Sequence, residues 1–585
     1  MFSVLKKLSW FFKEYWKRYV IAISLLILVG ILDVVPPKLI GMAIDDIQVG
    51  EMSNGKIGKY VGYLILIMVF SYGITYVWMY KLFGGAFLVE RKLRSRFMKH
   101  LLKMSPTFYE KNRTGDLMAR ATNDLKAISI TAGFGILTLV DSSVWMLTLI
   151  ITMGLLISWK LTIAAILPLP IMAYIMQIYG NRIHKRFMEA QDAFGELNDR
   201  VLESVAGVRV IRAYVQEEAD GRRFHQLTED VFEKNIKVAR IDSLFDPTVK
   251  ILVGLSYMIG LGYGAYLVFN QAITLGDLVA FNVYLGMLIW PMFAIGELIN
   301  IMQRGNASLD RVNETLSFQE TVENPTQPIK VENPERIDFE KVTFRYPSSK
   351  EDNLTNISVQ LQKGQTLGIV GKTGSGKTTF IKQLLRQYPL GTGELSISGV
   401  PLKEQTLYQV RKWIGYVPQD HVLFSKSVKE NILFGNSQAT EEELEKAIDL
   451  SALRKDLEML PEGLETLVGE KGVALSGGQK QRISIARALI RNPEILILDD
   501  SLSAVDAKTE KKIIENIREI RKDKTTIITT HRMSAVQHAD QILVLDDGKI
   551  IEEGTHEQLL STDGWYKEQY LRQQVENNFE EEVTA

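Results

Sequence analysis

Eight residues that follow a short apolar segment have the types and spacing of a phosphate-binding loop. Leu367–Val370 is predicted to be a strand, and a helix is predicted after the loop Gly371-Lys372-Thr373-Gly374-Ser375-Gly376-Lys377-Thr378. Glycines let backbone N–H groups converge on a β-phosphate at a helix N-terminus, in the context that this motif requires. Lys377 would neutralise the β- and γ-phosphates, the hydroxyl of Thr378 would bind Mg²⁺, and Thr379 would extend the set of contacts. The pattern predicts an ATP site.

Two adjacent carboxylates end a second apolar strand, whose sequence is Ile-Leu-Ile-Leu-Asp-Asp. Asp499 is placed to hold Mg²⁺. Asp500 occupies the position of a group that polarises the attacking water, but its side chain is one methylene shorter than that of glutamate. Such catalysis needs the carboxylate within hydrogen-bond reach of the water. We therefore predict Asp500 to be a catalytic residue that works poorly.

The chain is long enough for two or three domains, and its composition suggests a membrane half joined to a soluble half. It has 585 residues, of which 46% are hydrophobic although 23% are charged. Its 68 Lys and Arg residues balance 69 Asp and Glu residues, so charge gives no support for a nucleic-acid partner. Without cysteine, no disulfide, thiol catalysis or thiolate metal site is available, and the seven histidines lack metal-ligand spacing.

Six apolar segments are each long enough to cross a bilayer core, which needs about 20 residues. They are Tyr19–Ile40, Tyr60–Phe83, Ile130–Ile157, Leu161–Tyr179, Thr248–Phe269 and Leu278–Met302. These segments predict an all-α polytopic membrane domain over residues 20–305. The loops after the second and fourth segments are long and charged. The positive-inside rule therefore places both termini in the cytoplasm, and the chain is predicted to lie in the plasma membrane of the cell. Helical periodicity continues into these loops, which predicts long cytoplasmic extensions.

The remaining segments complete the predicted domain order. Residues 1–19 are basic and aromatic and predict an interfacial amphipathic helix. Residues 306–336 are predicted to be a linker, because the end of this segment is polar and contains three prolines. Short strands alternate with helices over residues 337–572, which indicates an α/β nucleotide-binding domain. Residues 573–585 form an acidic tail that we expect to be disordered. Kinks are expected at Pro36-Pro37 and at Pro291.

The segment Leu475-Ser476-Gly477-Gly478-Gln479 resembles the signature motif of the ABC (ATP-binding cassette) family, and other motifs follow in that family's order. The resemblance implies one role for each matching residue. Tyr346 would stack on adenine, Gln419 would join Mg²⁺ and the attacking water to the membrane domain, Asp499 would be the Walker B aspartate, Ser503-Ala504-Val505-Asp506 would cross the dimer, and His531 would touch the γ-phosphate. Metal contacts are thus expected from Thr378, Gln419 and Asp499.

In this family two cassettes face each other head to tail. The resemblance therefore implies that Ser476 and Gly478 act on ATP held by a partner chain, and that ATP on Lys377 needs the partner's signature. With one cassette and six predicted spans, the chain must pair to work. The intact signature and the short Asp500 together favour a heterodimer, in which the partner chain has Asp-Glu at the end of its Walker B strand and forms the competent site; a slow homodimer is the alternative.

The membrane half resembles the exporter branch of the family, and the whole chain is similar to subunits of bacterial heterodimeric multidrug exporters. Two cytoplasmic loops carry the likeness, through Pro106-Thr107-Phe108-Tyr109 with Thr114-Gly115-Asp116-Leu117, and through Glu203–Gly207 with Val210–Tyr214. By this resemblance, short coupling helices near Thr107–Gly115 and Val208–Gln216 dock on the cassettes, the second on the partner's cassette.

Several functions are compatible with the same predicted ATPase machinery. An ATP-driven exporter of amphipathic drugs is the leading interpretation; a lipid or peptide translocator, or an ATP-gated channel or regulatory subunit, are the alternatives. Asp33 and Asp141 lie within predicted spans, where a carboxylate is costly in lipid and is expected to face the bundle interior. They could line a substrate cavity for cationic compounds, make polar contacts between helices, or lie at the membrane interface.

Overall fold

The computed structural model describes residues 3–469 and 473–584, with side chains described as far as residue 575. The chain divides into two compact units. One comprises Met1–Leu102 and Thr114–Phe318, and the other comprises Lys103–Arg113 and Gln319–Ala585. The short segment Lys103–Arg113, which contains the first predicted coupling helix, therefore belongs to the second unit.

The first unit is helical, with five helical runs that are long and apolar enough to cross a membrane in the described part of the chain. These runs are Trp16–Gln48, Asn54–Leu101, Thr114–Ala206, Glu217–Phe269 and Leu275–Ser317. The second run has 48 residues, which at 1.5 Å per residue is about 70 Å, well over the roughly 30 Å of a bilayer core. The predicted extensions beyond the membrane are therefore present as continuous helix.

Six spans were predicted where five runs are found, because two predicted spans lie in one run. Thr114–Ala206 has 93 residues, and Ser158 interrupts it with extended backbone angles (φ −167°, ψ 125°). The Ser158 side chain accepts the backbone N–H of Leu161, as an N-cap does, so a new helix begins at Trp159. The predicted spans Ile130–Ile157 and Leu161–Tyr179 lie on either side of this break.

Other breaks subdivide the runs. The helices of the first unit are Ser3–Lys7, Ser9–Glu14, Trp16–Asp33, Val35–Gln48, Asn54–Leu101, Thr114–Ala119, Leu125–Ala132, Phe134–Val140, Met146–Met153, Trp159–Ile166, Pro168–Ala206, Val208–Ala213, Glu217–Asp242, Phe245–Phe269, Leu275–Met287 and Ile289–Ser317, with π-helical turns at Arg120–Asp124, Asp141–Trp145 and Gly154–Ser158. New helices begin at Val35 and Ile289, which confirms the breaks expected at Pro36-Pro37 and Pro291.

Three sequence boundaries need comment. In place of one amphipathic helix over residues 1–19, the structure has the short helices Ser3–Lys7 and Ser9–Glu14 before the helix that begins at Trp16. Val4, Leu8 and Phe11 are fully buried in the first unit, and Met1 and Phe2 lie outside the described residues. Placement of this segment at the membrane interface stays a prediction. The predicted linker began too early, because helix Ile289–Ser317 buries Leu309 and Val312 and continues to Ser317. The acidic tail was expected to be disordered, but helix Trp565–Thr584 runs through it.

The second unit is an α/β domain with two sheets. Its strands are β1 (Arg336–Phe344), β2 (Leu354–Gln362), β3 (Thr366–Gly371), β4 (Thr392–Ile397), β5 (Val400–Pro401), β6 (Ile414–Val417), β7 (Ile495–Asp499), β8 (Thr525–Thr529), β9 (Gln541–Asp546) and β10 (Lys549–Gly554). One sheet is antiparallel in the order β2-β1-β4-β5. The other has the order β10-β9-β3-β8-β7-β6, in which only β10 is antiparallel to its neighbour.

The helices of this unit are Pro106–Lys111, Lys377–Leu384, Leu407–Trp413, Val428–Leu433, Glu441–Leu450, Arg454–Met459, Gly477–Leu489, Ala507–Ile520, His556–Ser561 and Trp565–Thr584, with 3₁₀ turns at Leu402–Glu404, Gly463–Glu465 and Met533–Ala535. The helix after β3 packs between the sheets, where the rings of Phe339 and Phe380 stack with centroids 4.1 Å apart. A buried, nearly continuous apolar strand such as β7 is typical of a parallel sheet covered on both faces. This packing holds the carboxyl ends of β3, β6, β7 and β8 at one edge.

Candidate functional site

The predicted phosphate-binding loop leaves the carboxyl end of β3 and enters helix Lys377–Leu384, as the sequence indicated. Gly371 has φ +148°, and a Cβ there would lie 2.1 Å from the carbonyl oxygen of Leu545. Gly376 has φ +106°, and its Cβ would lie 2.9 Å from the carbonyl oxygen of Asn353. Both positions thus require glycine for conformation and for space, which fixes the path of the loop.

Two polar groups in this loop have unused hydrogen-bonding capacity. The Nζ atom of Lys377, a residue only 7% exposed, donates to the carbonyl oxygens of Gly371 at 2.9 Å and Lys372 at 2.8 Å. An ammonium has three donors, so one is left without a partner among the described residues. The buried hydroxyl of Ser375 also lacks a partner there. A buried cation and a free hydroxyl in a glycine loop fit a nucleotide's phosphates.

Asp499, at the end of β7, is held by three hydroxyl groups. Its Oδ1 accepts from Thr378 Oγ1 at 3.0 Å and from Thr529 Oγ1 at 2.7 Å, and its Oδ2 accepts from Tyr416 at 3.2 Å. Beside Asp499, burial and the carboxylate raise the pKa of Tyr416, which keeps this phenol a donor. The structure therefore brings together two of the three predicted Mg²⁺ contacts. Within residues 3–469 and 473–584, no cluster of three His, Asp or Glu residues could hold a metal by itself.

Asp500 lies next to Asp499 in a strained conformation. Its φ of +46° is left-handed, and its N–H donates to the carbonyl oxygen of Thr529 at 2.9 Å. The third predicted metal contact, Gln419, places its Nε2 3.5 Å from Asp500 Oδ2, at the limit of a hydrogen bond. Burial raises the pKa of Asp500, and the nearby charge of Lys377 offsets this effect only in part. Gln419 is exposed, and its described side-chain contact is with Asp500.

His531 follows β8 and reaches the start of the loop, where it is hydrogen-bonded to the backbone of Gly371. Burial lowers its pKa, and the Lys377 charge lowers it further, so the imidazole is neutral at pH 7. A neutral imidazole can donate through one nitrogen and accept through the other. The structure thus gathers Lys377, Thr378, Asp499, Asp500, Gln419 and His531 at one edge of the sheet, and their roles toward ATP stay predictions.

Tyr346, the predicted adenine contact, belongs to an aromatic cluster beside the loop. Its ring meets those of Phe344 and Tyr388 edge-on, with centroids 4.9 Å and 4.8 Å away. Its hydroxyl donates to Thr379 Oγ1 at 3.1 Å, which explains the place of Thr379 in the site. The ammonium of Lys382 lies 5.7 Å from the Tyr346 ring centroid, at cation–π distance.

The same cluster touches the first predicted coupling helix, Pro106–Lys111. The hydroxyl of Tyr388 donates to Glu110 Oε1 at 2.6 Å, and Thr107 and Phe108 are buried. Sequence analysis did not identify Tyr388; its only signal was an aromatic residue soon after the loop helix. The second predicted coupling helix, Val208–Ala213, buries none of its residues.

The predicted signature segment exposes its serine and buries its leucine. Ser476 is exposed and caps helix Gly477–Leu489 with its side chain. Its backbone N–H donates to Gln479 Oε1 at 2.9 Å. Leu475 is buried and anchors the segment. Among the described residues, no hydrogen bond joins this segment to the phosphate-binding loop. The cap fixes the serine hydroxyl at a helix N-terminus, a place suited to anions.

The predicted dimer-crossing loop lies between Asp500 and helix Ala507–Ile520. Ser503 Oγ donates to the Asp500 carbonyl at 3.0 Å, and Asp506 caps helix Ala507–Ile520 by accepting from Thr509 N–H at 3.0 Å. Sequence analysis missed Arg532, which donates to the carbonyl oxygens of Ser503 at 3.1 Å and Val505 at 3.0 Å. Because Arg532 immediately follows His531, these hydrogen bonds tie the loop to the segment that contains His531, the predicted γ-phosphate contact.

The two intramembrane carboxylates have different surroundings. Asp141 Oδ2 accepts from the indole N–H of Trp290 at 3.0 Å, which supports the interpretation as a contact between helices. Asp33 is partly buried and has no hydrogen-bond partner among the described residues. A role for either residue in a substrate cavity stays a prediction.

Comparison with known proteins identifies both halves. The family described as "ABC transporter transmembrane region" matches residues 19–292, and the family described as "ABC transporter" matches residues 354–503. The chain is 66% identical over 575 residues to the probable multidrug resistance ABC transporter ATP-binding/permease protein YheI of Bacillus subtilis, covering 98% of both chains. It is 41% identical to the multidrug resistance-like ATP-binding protein MdlA of Escherichia coli, covering 97% of this chain and 96% of that one. A solved bacterial Atm1-family ABC exporter with ATP bound is similar with a TM-score of 0.78 and 26% identity, over 95% of this chain and 99% of that one.

Proposed function

The chain belongs to the ABC transporter family and is an ATP-dependent translocase of the exporter type, and from this premise we propose that it is one half of a heterodimeric multidrug exporter. The observation that carries the proposal is the contrast between the two adjacent carboxylates at the end of β7. Asp499 is firmly held by three hydroxyl groups, whereas the next residue is the short Asp500. This site is built to bind ATP and is poorly built to hydrolyse it.

The ATP contacts follow from the loop geometry. Lys377 would contact the β- and γ-phosphates with its free donor, and the backbone of residues 371–379 would surround them. Thr378 and Asp499 would hold Mg²⁺, with Gln419 toward the attacking water. When bound, Mg²⁺ supplies charge neutralisation at the phosphates. Tyr346 would stack on adenine through the face that its cluster leaves free.

A homodimer of this chain would contain two sites with the short carboxylate. Displacement of a catalytic group by about 1 Å can cost on the order of a hundredfold in rate, so such a dimer would be a poor pump. A partner with glutamate at this position would form a competent site with the Ser476 signature of this chain. The exposure of Ser476 and its rigid cap support this use in trans. Ser503 and Asp506 would lie at the same contact between the two chains.

The membrane half would cross the bilayer six times, with the break at Ser158 as the short turn between the third and fourth crossings. Both termini and the nucleotide-binding unit would be cytoplasmic, by the charge of the long loops. The multidrug names of the relatives support amphipathic drugs as the substrates. Helix Pro106–Lys111 would couple this chain's own nucleotide site to transport, and Val208–Ala213 would dock on the partner.

The test is to purify this chain alone and together with an exporter half-chain whose Walker B strand ends in Asp-Glu, and then to measure ATP turnover in lipid. We expect turnover and drug transport only from the pair. The matched control is the pair in which the partner's glutamate is replaced by glutamine, and it should lose most turnover. Robust turnover by this chain alone would overturn the heterodimer proposal and leave the ATP site assignment intact.

A further inference from the structure

A cleft of about 450 Å³ lies in the first unit where the first and second membrane helices come together. Its walls are formed by Glu14, Tyr15, Trp16, Lys17, Arg18, Ile21 and Lys81. The first membrane run begins at Trp16, and Lys81 lies near the end of the second predicted span. Because a span that begins and a span that ends meet here, the cleft lies at the level of one membrane surface.

Arg18 is held rigidly on one wall of the cleft. Its Nε donates to the carbonyl oxygen of Lys81 at 2.5 Å and its Nη2 to that of Tyr80 at 2.7 Å. Gly84 makes this position accessible, because a Cβ on Gly84 would lie 1.9 Å from Arg18 Nη2. The Nη1 amino group has no partner among the described residues. A guanidinium held in this way presents a fixed pair of N–H donors of the kind that matches phosphate oxygens.

Two further cations line the same cleft. The ammonium groups of Lys17 and Lys81 have no hydrogen-bond or ion-pair partner among the described residues. The carboxylate in the lining, Glu14, is hydrogen-bonded to Lys92 and so does not offset the three cations of the cleft. Three positive charges without an ion-pair partner around one cleft create a positive potential that attracts an anion.

We propose that this cleft binds the phosphate headgroup of an anionic membrane lipid, with Arg18, Lys17 and Lys81 as its ligands. The side chain of Trp16 is 55% exposed at the edge of the cleft, and Tyr15 lines it, which is the aromatic composition found at headgroup level. Basic pockets between membrane helices on the cytoplasmic side are suited to such headgroups. Only the depth of the cleft in the bilayer rests on the proposed membrane topology.

The experiment measures lipid retained by the purified, delipidated transporter, by native mass spectrometry and without nucleotide. The probes are phosphatidylglycerol, phosphatidylcholine and inorganic phosphate. We expect preferential retention of phosphatidylglycerol, and we expect the double variant Lys17→Gln, Lys81→Gln to lower it by about tenfold, since each basic residue near an anionic surface contributes several-fold to binding. The matched control, Lys6→Gln with Lys13→Gln, removes the same charge from the N-terminal segment outside the cleft and should retain the lipid.

A second variant tests the geometry without removing charge. Gly84→Leu should displace the Arg18 guanidinium and lower retention, while the thermal unfolding midpoint reports whether the variant is folded. Equal losses in the two lysine double variants would overturn the site, because attraction would then be nonspecific. If phosphatidylcholine is retained as well as phosphatidylglycerol, the net charge of the lipid does not decide binding and the proposal is wrong. If inorganic phosphate binds with equal affinity, the cleft is a site for a soluble anion. Because no ATP is used, these outcomes do not depend on the asymmetric exporter proposal.

Discussion

Replacing Asp500 by glutamate should restore hydrolysis at this chain's own ATP site. The two side chains start from the same backbone position, and glutamate extends the carboxylate by one C–C bond, about 1.5 Å. In the structure, Asp500 is near the proposed water-positioning Gln419, but its Oδ2 lies 3.5 Å from Gln419 Nε2, too far for a good hydrogen bond. A longer side chain would close this gap.

The magnitude follows from the distance that the carboxylate must cover. If a misplacement of about 1 Å costs on the order of a hundredfold, Asp500→Glu should raise the rate at this site by up to about a hundredfold. The backbone reduces the benefit, because φ is +46° at this position and a left-handed residue costs roughly 1 kcal/mol. Asp tolerates this conformation better than Glu, so a small loss of stability should accompany the gain.

The assay is single-turnover hydrolysis of labelled ATP by the heterodimer, with the partner's Walker B glutamate replaced by glutamine so that its site is silent. Asp500→Asn is the matched control, since it keeps the length of the side chain, removes its charge and should not raise the rate. An unchanged rate in a stably folded Asp500→Glu variant would refute the reasoning. A rise of equal size in Asp500→Asn would also refute it, because length would then be irrelevant.

Three further variants test the other parts of the site. Lys377→Ala should weaken ATP binding at this site by about tenfold to a hundredfold, because a charge-assisted contact of about 1.5–3 kcal/mol is lost, while dimer assembly persists; labelled-nucleotide titration measures this. Ser476→Ala should lower steady-state ATPase of the pair far more than Asp500→Asn, because Ser476 serves the partner's site. Tyr388→Phe should lower drug transport more than ATPase, because it removes the 2.6 Å hydrogen bond to Glu110.

Each of these three predictions has an outcome that would contradict it. Unchanged nucleotide affinity in Lys377→Ala would remove this residue from the phosphate site. Equal ATPase losses in Ser476→Ala and Asp500→Asn would argue for two equivalent ATP sites. Glu110→Gln keeps an oxygen acceptor for Tyr388, so it should transport almost normally; normal transport by Tyr388→Phe would show that this hydrogen bond is not needed for coupling.

The sequence by itself determined the elements whose signals are local. The spacing of glycines after an apolar strand identifies the loop at Gly371–Thr378, and the alternation of apolar strands and helices identifies the α/β unit. The apolar segments and the prolines at Pro36-Pro37 and Pro291 located the membrane helices and their breaks, because length and backbone chemistry decide both. Asp500 could be recognised as short from its type alone.

Contacts between residues distant in sequence were decided only by the tertiary structure. The three hydroxyl groups on Asp499 come from three different elements, and the Tyr388–Glu110 hydrogen bond joins residues 278 positions apart. Neither has a periodicity that a sequence displays. The length of helix Ile289–Ser317 was also underestimated, since polar residues after Asn306 hide a buried stripe that includes Leu309 and Val312. A helix with one buried face is recognised with certainty only when the surface that covers that face is known.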